Sequence, residues 1–223
     1  MRRADRIFGT TQADLVEAVA AEGVGNERIL DALRRVPRAG FVPPGLEDRA
    51  YEDIPVPIPH DQVTTQPSLV AKMVDALDLR GGEQVLEVGT GHGFQTALLA
   101  RLASFVYSVE RWPDLAAVAR QNLAREGIRN VTLVVGDGTA GLPQHAPFDA
   151  IVVSAAFPSV VGPLADQLAR GGRLVQPVGP GGCEEVSLFV KTAHGLAHRR
   201  AVTGAHFVRL YGRHGFDEDR FSR

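Results

Sequence analysis

The sequence predicts an α/β protein built on a doubly wound, mostly parallel sheet, with a helical N-terminal segment and an antiparallel C-terminal edge. Three observations carry that prediction. Beyond Gly81-Gly82, short apolar runs alternate with helix-period segments, the pattern of parallel strands covered on both faces. The run Glu87-Val88-Gly89-Thr90-Gly91-His92-Gly93-Phe94 stands between one such strand and the helix after it. Two late strand-like segments follow each other with no helix between them, which suits antiparallel pairing.

Leu15, Val16, Val19 and Ala20 predict a first short helix. Ile29, Leu30, Leu33 and Val36 predict a second, with Asn26 as N-cap and Pro37 as its stop. Residues 43–67 are proline-rich (Pro43, Pro44, Pro55, Pro57, Pro59, Pro67) and read as an ordered, functional loop. Leu46, Tyr51, Ile54, Val56 and Ile58 give it apolar surface to bury. Pro67 suits the first position of a third helix, running through Val70, Met73, Val74 and Leu77. Strands are expected at 84–88, 105–109, 131–135, 150–153 and 173–177, and helices at 95–102, 114–126 and 161–168. Segments 185–192 and 205–211 supply the antiparallel edge. Residues 1–80 then form helices and a loop packed on a core of residues 81–223, in a single compact unit.

A chain of 223 residues, 44% hydrophobic and 22% charged, is sized for one such unit. Its net charge of −2 leaves no electrostatic footprint for nucleic acid or an anionic membrane surface. The pairs Arg2-Arg3, Arg34-Arg35 and Arg199-Arg200 read as solvated faces. Cys183 is the single cysteine, so no internal disulfide forms, and Glu184 and Glu185 beside it disfavour a reactive thiolate. No apolar run nears the roughly 20 residues that span a bilayer, and the basic start at Met1 leads into no signal core. His206 and His214 are too scattered for a metal site. The expectation is a cytoplasmic monomer without a metal.

Glycines between a strand and a helix let backbone approach a ligand, and the helix N-terminus points free N–H groups at it. Alone the loop is weak evidence: a tight structural turn, NAD, FAD or another nucleoside ligand would all suit it. Glu110, about 20 residues past Gly89 at the end of the next strand, is placed to accept from ribose hydroxyls. Gly136-Asp137-Gly138, after the third strand, can turn closely around a base, with Asp137 accepting from an exocyclic amine; the bland reading is an ordinary turn. Three such features at successive strand ends point together to a nucleoside. The spacing Gly89-x-Gly91-x-Gly93 is not Gly-x-Gly-x-x-Gly, and no lysine or arginine near the loop would hold a pyrophosphate. S-adenosylmethionine, with adenosine and a cationic sulfonium but no phosphate, fits better, and acids such as Glu87 suit its positive charge.

At this point the chain resembles the protein-L-isoaspartate O-methyltransferases over nearly its whole length. The resemblance is carried by Val36-Pro37-Arg38-Ala39-Gly40-Phe41-Val42-Pro43 and by Ala50-Tyr51-Glu52-Asp53-Ile54-Pro55-Val56-Pro57-Ile58. It extends to Leu86 through Gln95, Tyr107-Ser108-Val109-Glu110-Arg111, Val135-Gly136-Asp137-Gly138 and the Gln176-Pro177-Val178-Gly179 strand end. It implies a Rossmann-like methyltransferase fold, S-adenosylmethionine as cofactor (S-adenosylhomocysteine as product) and a protein or peptide carrying isoaspartate as partner. It also implies cofactor contacts at Gln66, Glu87, Gly89, Thr90, Gly91, Gly93, Glu110, Arg111, Asp137 and Gly138. Two places depart from the family pattern. Asp61-Gln62-Val63-Thr64-Thr65-Gln66-Pro67 puts Thr65 where the family has serine, loses a hydroxyl at Val63 and gains one at Thr64. Phe207-Val208-Arg209-Leu210-Tyr211 replaces a Phe-Val-Pro-Leu pattern.

The implied chemistry is attack of a side-chain carboxylate on the sulfonium methyl, giving a methyl ester. A carboxylate is already ionised near neutral pH, so the enzyme's work is alignment. Thr65 is expected to hydrogen-bond the acceptor carboxylate; the competing reading has it capping the helix at Pro67. Gln62, Val63, Thr64 and Tyr211 are expected on the acceptor peptide. His60-Asp61 is either an acid–base pair or a solvated loop pair, and His92 either meets the cofactor or faces solvent. The rival to isoaspartyl repair keeps the chemistry and esterifies an aspartate or other carboxylate of a dedicated precursor peptide or small molecule. A protein that binds the cofactor without turnover and a nicotinamide oxidoreductase are the other classes.

Overall fold

In the computed structural model, which describes residues 10–180 and 182–217, helix α1 (Gln12–Ala21) opens on a capping box. The Thr11 side chain accepts from the Asp14 N–H, and Asp14 bonds back to the N-cap backbone. Helix α2 (Glu27–Arg35) is capped by Asn26 as expected, and α3 (Pro67–Ala76) starts on Pro67. The basic stretch at residues 1–6 lies outside the described residues.

The proline-rich stretch is ordered, but it is not simply a loop. It holds a hairpin of β1 (Val56–Ile58) and β2 (Gln62–Thr64), paired Val56 to Thr64 and Ile58 to Gln62. Its tight turn puts His60 at φ 63° and Asp61 at φ 54°. Sequence reading missed this turn because it lacks the glycine that such hairpin turns usually carry.

The main sheet has seven strands: β3 (Gln84–Val88), β4 (Phe105–Glu110), β5 (Val131–Val135), β6 (Phe148–Val153), β7 (Leu168–Val178), β8 (Glu184–Thr192) and β9 (Gly195–Ala205). Their order is β5-β4-β3-β6-β7-β8-β9, parallel from β5 to β7 and antiparallel at β8 and β9. Helices α4 (Phe94–Leu102), α5 (Pro113–Arg125) and α6 (Gly162–Gln167) connect the parallel strands.

The last strand corrects the expectation. Of the expected 205–211 only Ala205 belongs to it; the polar run through His198, Arg199 and Arg200 forms the rest. Residues 206–211 run extended beside Ala156, whose N–H donates to Val208 O and whose carbonyl accepts from Leu210 N–H, both at 2.8 Å. An edge strand with a wet outer side tolerates charges that apolar pattern reading rejects.

Alternating side chains send the sheet into two apolar layers. Val85, Val106, Ala150 and Val152 meet α4 together with Leu15, Leu33 and Met73 of α1, α2 and α3. Leu86, Val88, Ile151 and Val153 pack on the other face with Leu164 and Leu168. Helix α4 is buried on nearly every side, between the sheet and the N-terminal helices. The chain winds from β3 outward to β5, then crosses back to β6 beside β3. Such a reversal opens a crevice at the strands' carboxyl ends, where α/β proteins hold ligands.

Candidate active site

That crevice holds a cavity of about 520 Å³, within the usual range for small-molecule sites. One wall is the loop after β3. Gly89, Thr90 and Gly91 line it, and Glu110 at the end of β4 and Gly138 after β5 adjoin them. Gln62, Val63, Thr64, Thr65 and Gln66 line the same cavity. Arg111 and Tyr211 close one side, the Arg111 guanidinium lying 5.4 Å from the Tyr211 ring centre and 4.9 Å from that of Trp112.

Glu110 is held ready. Its Oε2 accepts from Gly91 N–H at 2.8 Å and its Oε1 from Trp112 N–H at 3.0 Å, leaving lone pairs on both oxygens. Gly138 is required by close approach: a Cβ there would lie 2.5 Å from Val88 Cγ1. Two polar atoms of the cavity-lining residues are orphaned within the protein, Gln95 Oε1 and His92 Nδ1. Buried acceptors without partners suit a ligand that brings N–H donors, as the amino-acid tail of S-adenosylmethionine does. His92 does not face solvent; it is 5% exposed, and burial pushes its pKa down, so the ring is neutral at physiological pH.

Three expected cofactor residues are not on the cavity wall. Glu87 lies sealed beneath it. Strand alternation turns Glu87 toward α4, where Gln95 Nε2 donates to Oε1 at 3.0 Å and the Thr96 and Ser108 hydroxyls donate to Oε2 at 2.5 and 2.6 Å. Burial outweighs these donors and raises its pKa from 4.5 to about 7. Gly93 serves as N-cap of α4 at φ 93°, a left-handed conformation that favours glycine. Asp137, next to the lining Gly138, holds chain to chain: Oδ1 accepts from Thr139 N–H at 2.8 Å and Oδ2 from Arg213 N–H at 2.8 Å. Burial raises its pKa, but these bonds and the nearby His214 charge win, and the net shift is downward.

On the acceptor side, Thr65 does not cap α3. The cap comes from Asp53, whose Oδ1 accepts from Ser68 N–H at 2.8 Å while Oδ2 accepts from Gln66 Nε2 at 2.9 Å. Thr64 places its hydroxyl on the buried Arg38, 3.1 Å from Nη2, which accounts for a hydroxyl at that position. Val63 is 43% exposed at the cavity mouth, where an apolar side chain meets whatever enters. His60 and Asp61 do not act as a pair: His60 stacks on Trp112 at 3.9 Å and its Nε2 meets Asp114 Oδ2 at 2.8 Å. Sequence reading missed Asp53, Arg38 and Ser154. Ser154, at the end of β6, accepts from Gln95 Nε2 at 3.0 Å and would meet a Cβ on Gly89 at 3.3 Å. An acid followed two residues later by proline was the available signal for Asp53; nothing local marked the others.

The model of one protein family, protein-L-isoaspartate(D-aspartate) O-methyltransferase, matches residues 10–215. A Methanoculleus marisnigri protein-L-isoaspartate O-methyltransferase is 51% identical over 198 residues, covering 89% of this chain and 90% of its own. One from Aeropyrum pernix is 47% identical over 210 residues, covering 92% and 81%. A solved protein-L-isoaspartate O-methyltransferase superposes with a TM-score of 0.82 at 28% identity, over 92% of this chain and 67% of that one. A Plasmodium falciparum protein, assigned to the same enzyme type and solved with S-adenosyl-L-homocysteine, shares the fold at a TM-score of 0.77 and 20% identity, over 91% and 98%. The fold, the shared lining of the cavity and this similarity along nearly the whole chain agree, and the chain belongs to the protein-L-isoaspartate(D-aspartate) O-methyltransferase family.

Proposed function

We propose that this protein is an S-adenosylmethionine-dependent carboxyl O-methyltransferase acting on L-isoaspartyl residues of damaged proteins and peptides. The observation that carries the reading is one cavity lined both by the Gly89–Gly91 loop, Glu110 and Gly138 and by Gln62 through Gln66. S-adenosylmethionine supplies a methyl group on a cationic sulfur, which a nucleophile in line with the carbon–sulfur bond can take. Glu110 would hold the ribose hydroxyls, Gly138 would leave room for the base, and the unpartnered Gln95 Oε1 would accept from the amino-acid tail. Thr65 donates its hydroxyl to the acceptor carboxylate and fixes its angle. No side chain removes a proton, because the acceptor is already ionised. Within the cavity, where the dielectric is lower than in water, the attraction between an acceptor carboxylate and a bound sulfonium would be stronger than in solution.

The acting unit is read as a monomer in the cytoplasm, with protein or peptide rather than nucleic acid or membrane as partner. A net charge of −2 and an exposed free Cys183 support this reading. Among the described residues no helix is long and apolar enough to cross a membrane. Residues 1–80 and 81–223 are read as one unit because Leu15, Leu33 and Met73 share an apolar cluster with Leu98, Val106 and Val152.

Methyl-ester formation on matched isoaspartyl and aspartyl peptides tests the function. Transfer to the isoaspartyl peptide alone is expected. Transfer only to an ordinary aspartyl peptide, or to neither, would refute it.

A further inference from the structure

We infer that Arg38 is a positioning residue for methyl transfer, a buried guanidinium that sets the place of Thr65 by gripping the acceptor strand and the loop behind it at once. The inference rests on the reading of Thr65 as the group that holds the acceptor carboxylate.

Arg38 follows α2 and is fully buried. One terminal nitrogen, Nη1, donates to Ala50 O at 3.3 Å and Glu52 O at 2.9 Å. The other, Nη2, donates to Ile54 O at 2.7 Å, to the Thr64 hydroxyl at 3.1 Å and to Thr65 O at 3.5 Å. A single side chain therefore ties three alternate carbonyls of the 50–54 loop, those of Ala50, Glu52 and Ile54, to Thr64 at the end of β2 and Thr65 just after it, both of which line the cavity. The Phe94 ring, first in the helix after the cofactor loop, lies 5.8 Å from the guanidinium carbon. Asp53, inside the same loop, is fastened in turn to Gln66 and Ser68. Thr65 is thus held between two clamps, Arg38 before it and Asp53 after it.

The energetics favour geometry over mere stability. Burying a cation is costly, and an apolar side chain of similar volume usually stabilises a core at least as well. Burial pushes the Arg38 pKa down to about 10, which still leaves it charged at neutral pH, with Nε unpartnered. What a planar guanidinium provides and a lysine or methionine does not is a rigid fork that fixes several acceptors relative to one another. Alignment is the task that remains when no proton has to be moved, and an ångström of misplacement costs on the order of a hundredfold in rate.

The experiment compares Thr64→Val, Arg38→Lys, Thr65→Val and the Thr64→Val/Thr65→Val double variant. Each is measured for kcat and KM on an isoaspartyl peptide and, separately, for the Kd of S-adenosylhomocysteine. Thr64→Val keeps the guanidinium and removes one acceptor, so it remains informative should Arg38→Lys fail to fold. The expected result is a loss in kcat/KM of about tenfold for Thr64→Val and more for Arg38→Lys, with the Kd of S-adenosylhomocysteine unchanged. In the Thr65→Val background the Thr64→Val loss disappears, because Arg38 acts through Thr65. Wild-type kcat/KM in Thr64→Val beside a damaged Thr65→Val overturns the inference alone. Losses that multiply in the double variant overturn it too. Full activity in Thr65→Val overturns the reading of Thr65 on which it rests.

Discussion

Glu87→Gln should remove most of the protein's loss of stability between mildly acid and mildly alkaline pH. The Glu87 carboxyl is wholly buried, and although Ser108, Thr96 and Gln95 all donate to it, burial wins and its pKa rises from 4.5 to about 7. At 1.36 kcal/mol per pKa unit, that rise corresponds to about 3 kcal/mol. The folded state holds this proton more tightly than the unfolded chain does. Its stabilisation is therefore complete below the unfolded pKa near 4.5 and is lost as pH climbs through 7. Glutamine keeps the shape and cannot ionise. Its carbonyl can accept from Gln95, and the Ser108 and Thr96 hydroxyls can turn to accept from its amide. Urea unfolding from about pH 5 to about pH 8 at constant ionic strength measures the effect. The wild-type stability should fall relative to Glu87→Gln by about 2–3 kcal/mol across that span, slightly less than the full value because pH 5 already lies above the unfolded pKa. A difference between the two proteins that stays constant with pH would refute the reasoning, since it would mean that Glu87 titrates alike folded and unfolded.

Glu110→Gln puts an amide opposite the Gly91 or Trp112 N–H and weakens the ribose contact; calorimetry should show the Kd of S-adenosylhomocysteine rising about tenfold or more. Asp53→Ala removes the cap on α3 and the partner of Gln66, lowering stability by about 1 kcal/mol in thermal unfolding. Gly138→Ala drives a methyl group against Val88 and should cost about 1–3 kcal/mol, part of which Val88→Ala restores in the double variant.

Much of the cofactor half was legible because its signals are local. Apolar runs at strand and helix periods, Asn26 before α2 and Pro67 at the start of α3 each act within a few residues, and the structure keeps them. Gly89, Glu110 and Gly138 could be placed together because consecutive parallel strands end at one edge of the sheet. The outer strand β9 was misplaced by pattern alone, since an edge can carry His198, Arg199 and Arg200 while the apolar Phe207–Leu210 run serves elsewhere.

The sequence by itself determined the strand–loop–helix order, the glycine turns and the gathering of Gly89, Glu110 and Gly138 at one cavity. Tertiary structure decided which way each polar group points. Glu87 is turned under the pocket by the pleat of β3, Asp137 is engaged by the chain at Arg213, and Asp53 takes the capping role from Thr65 across 15 residues. These outcomes depend on partners distant in the chain. A hydrogen bond made only after the chain folds back leaves no trace in the spacing of neighbouring residues, whereas glycine and apolar periodicity act on the backbone where they stand.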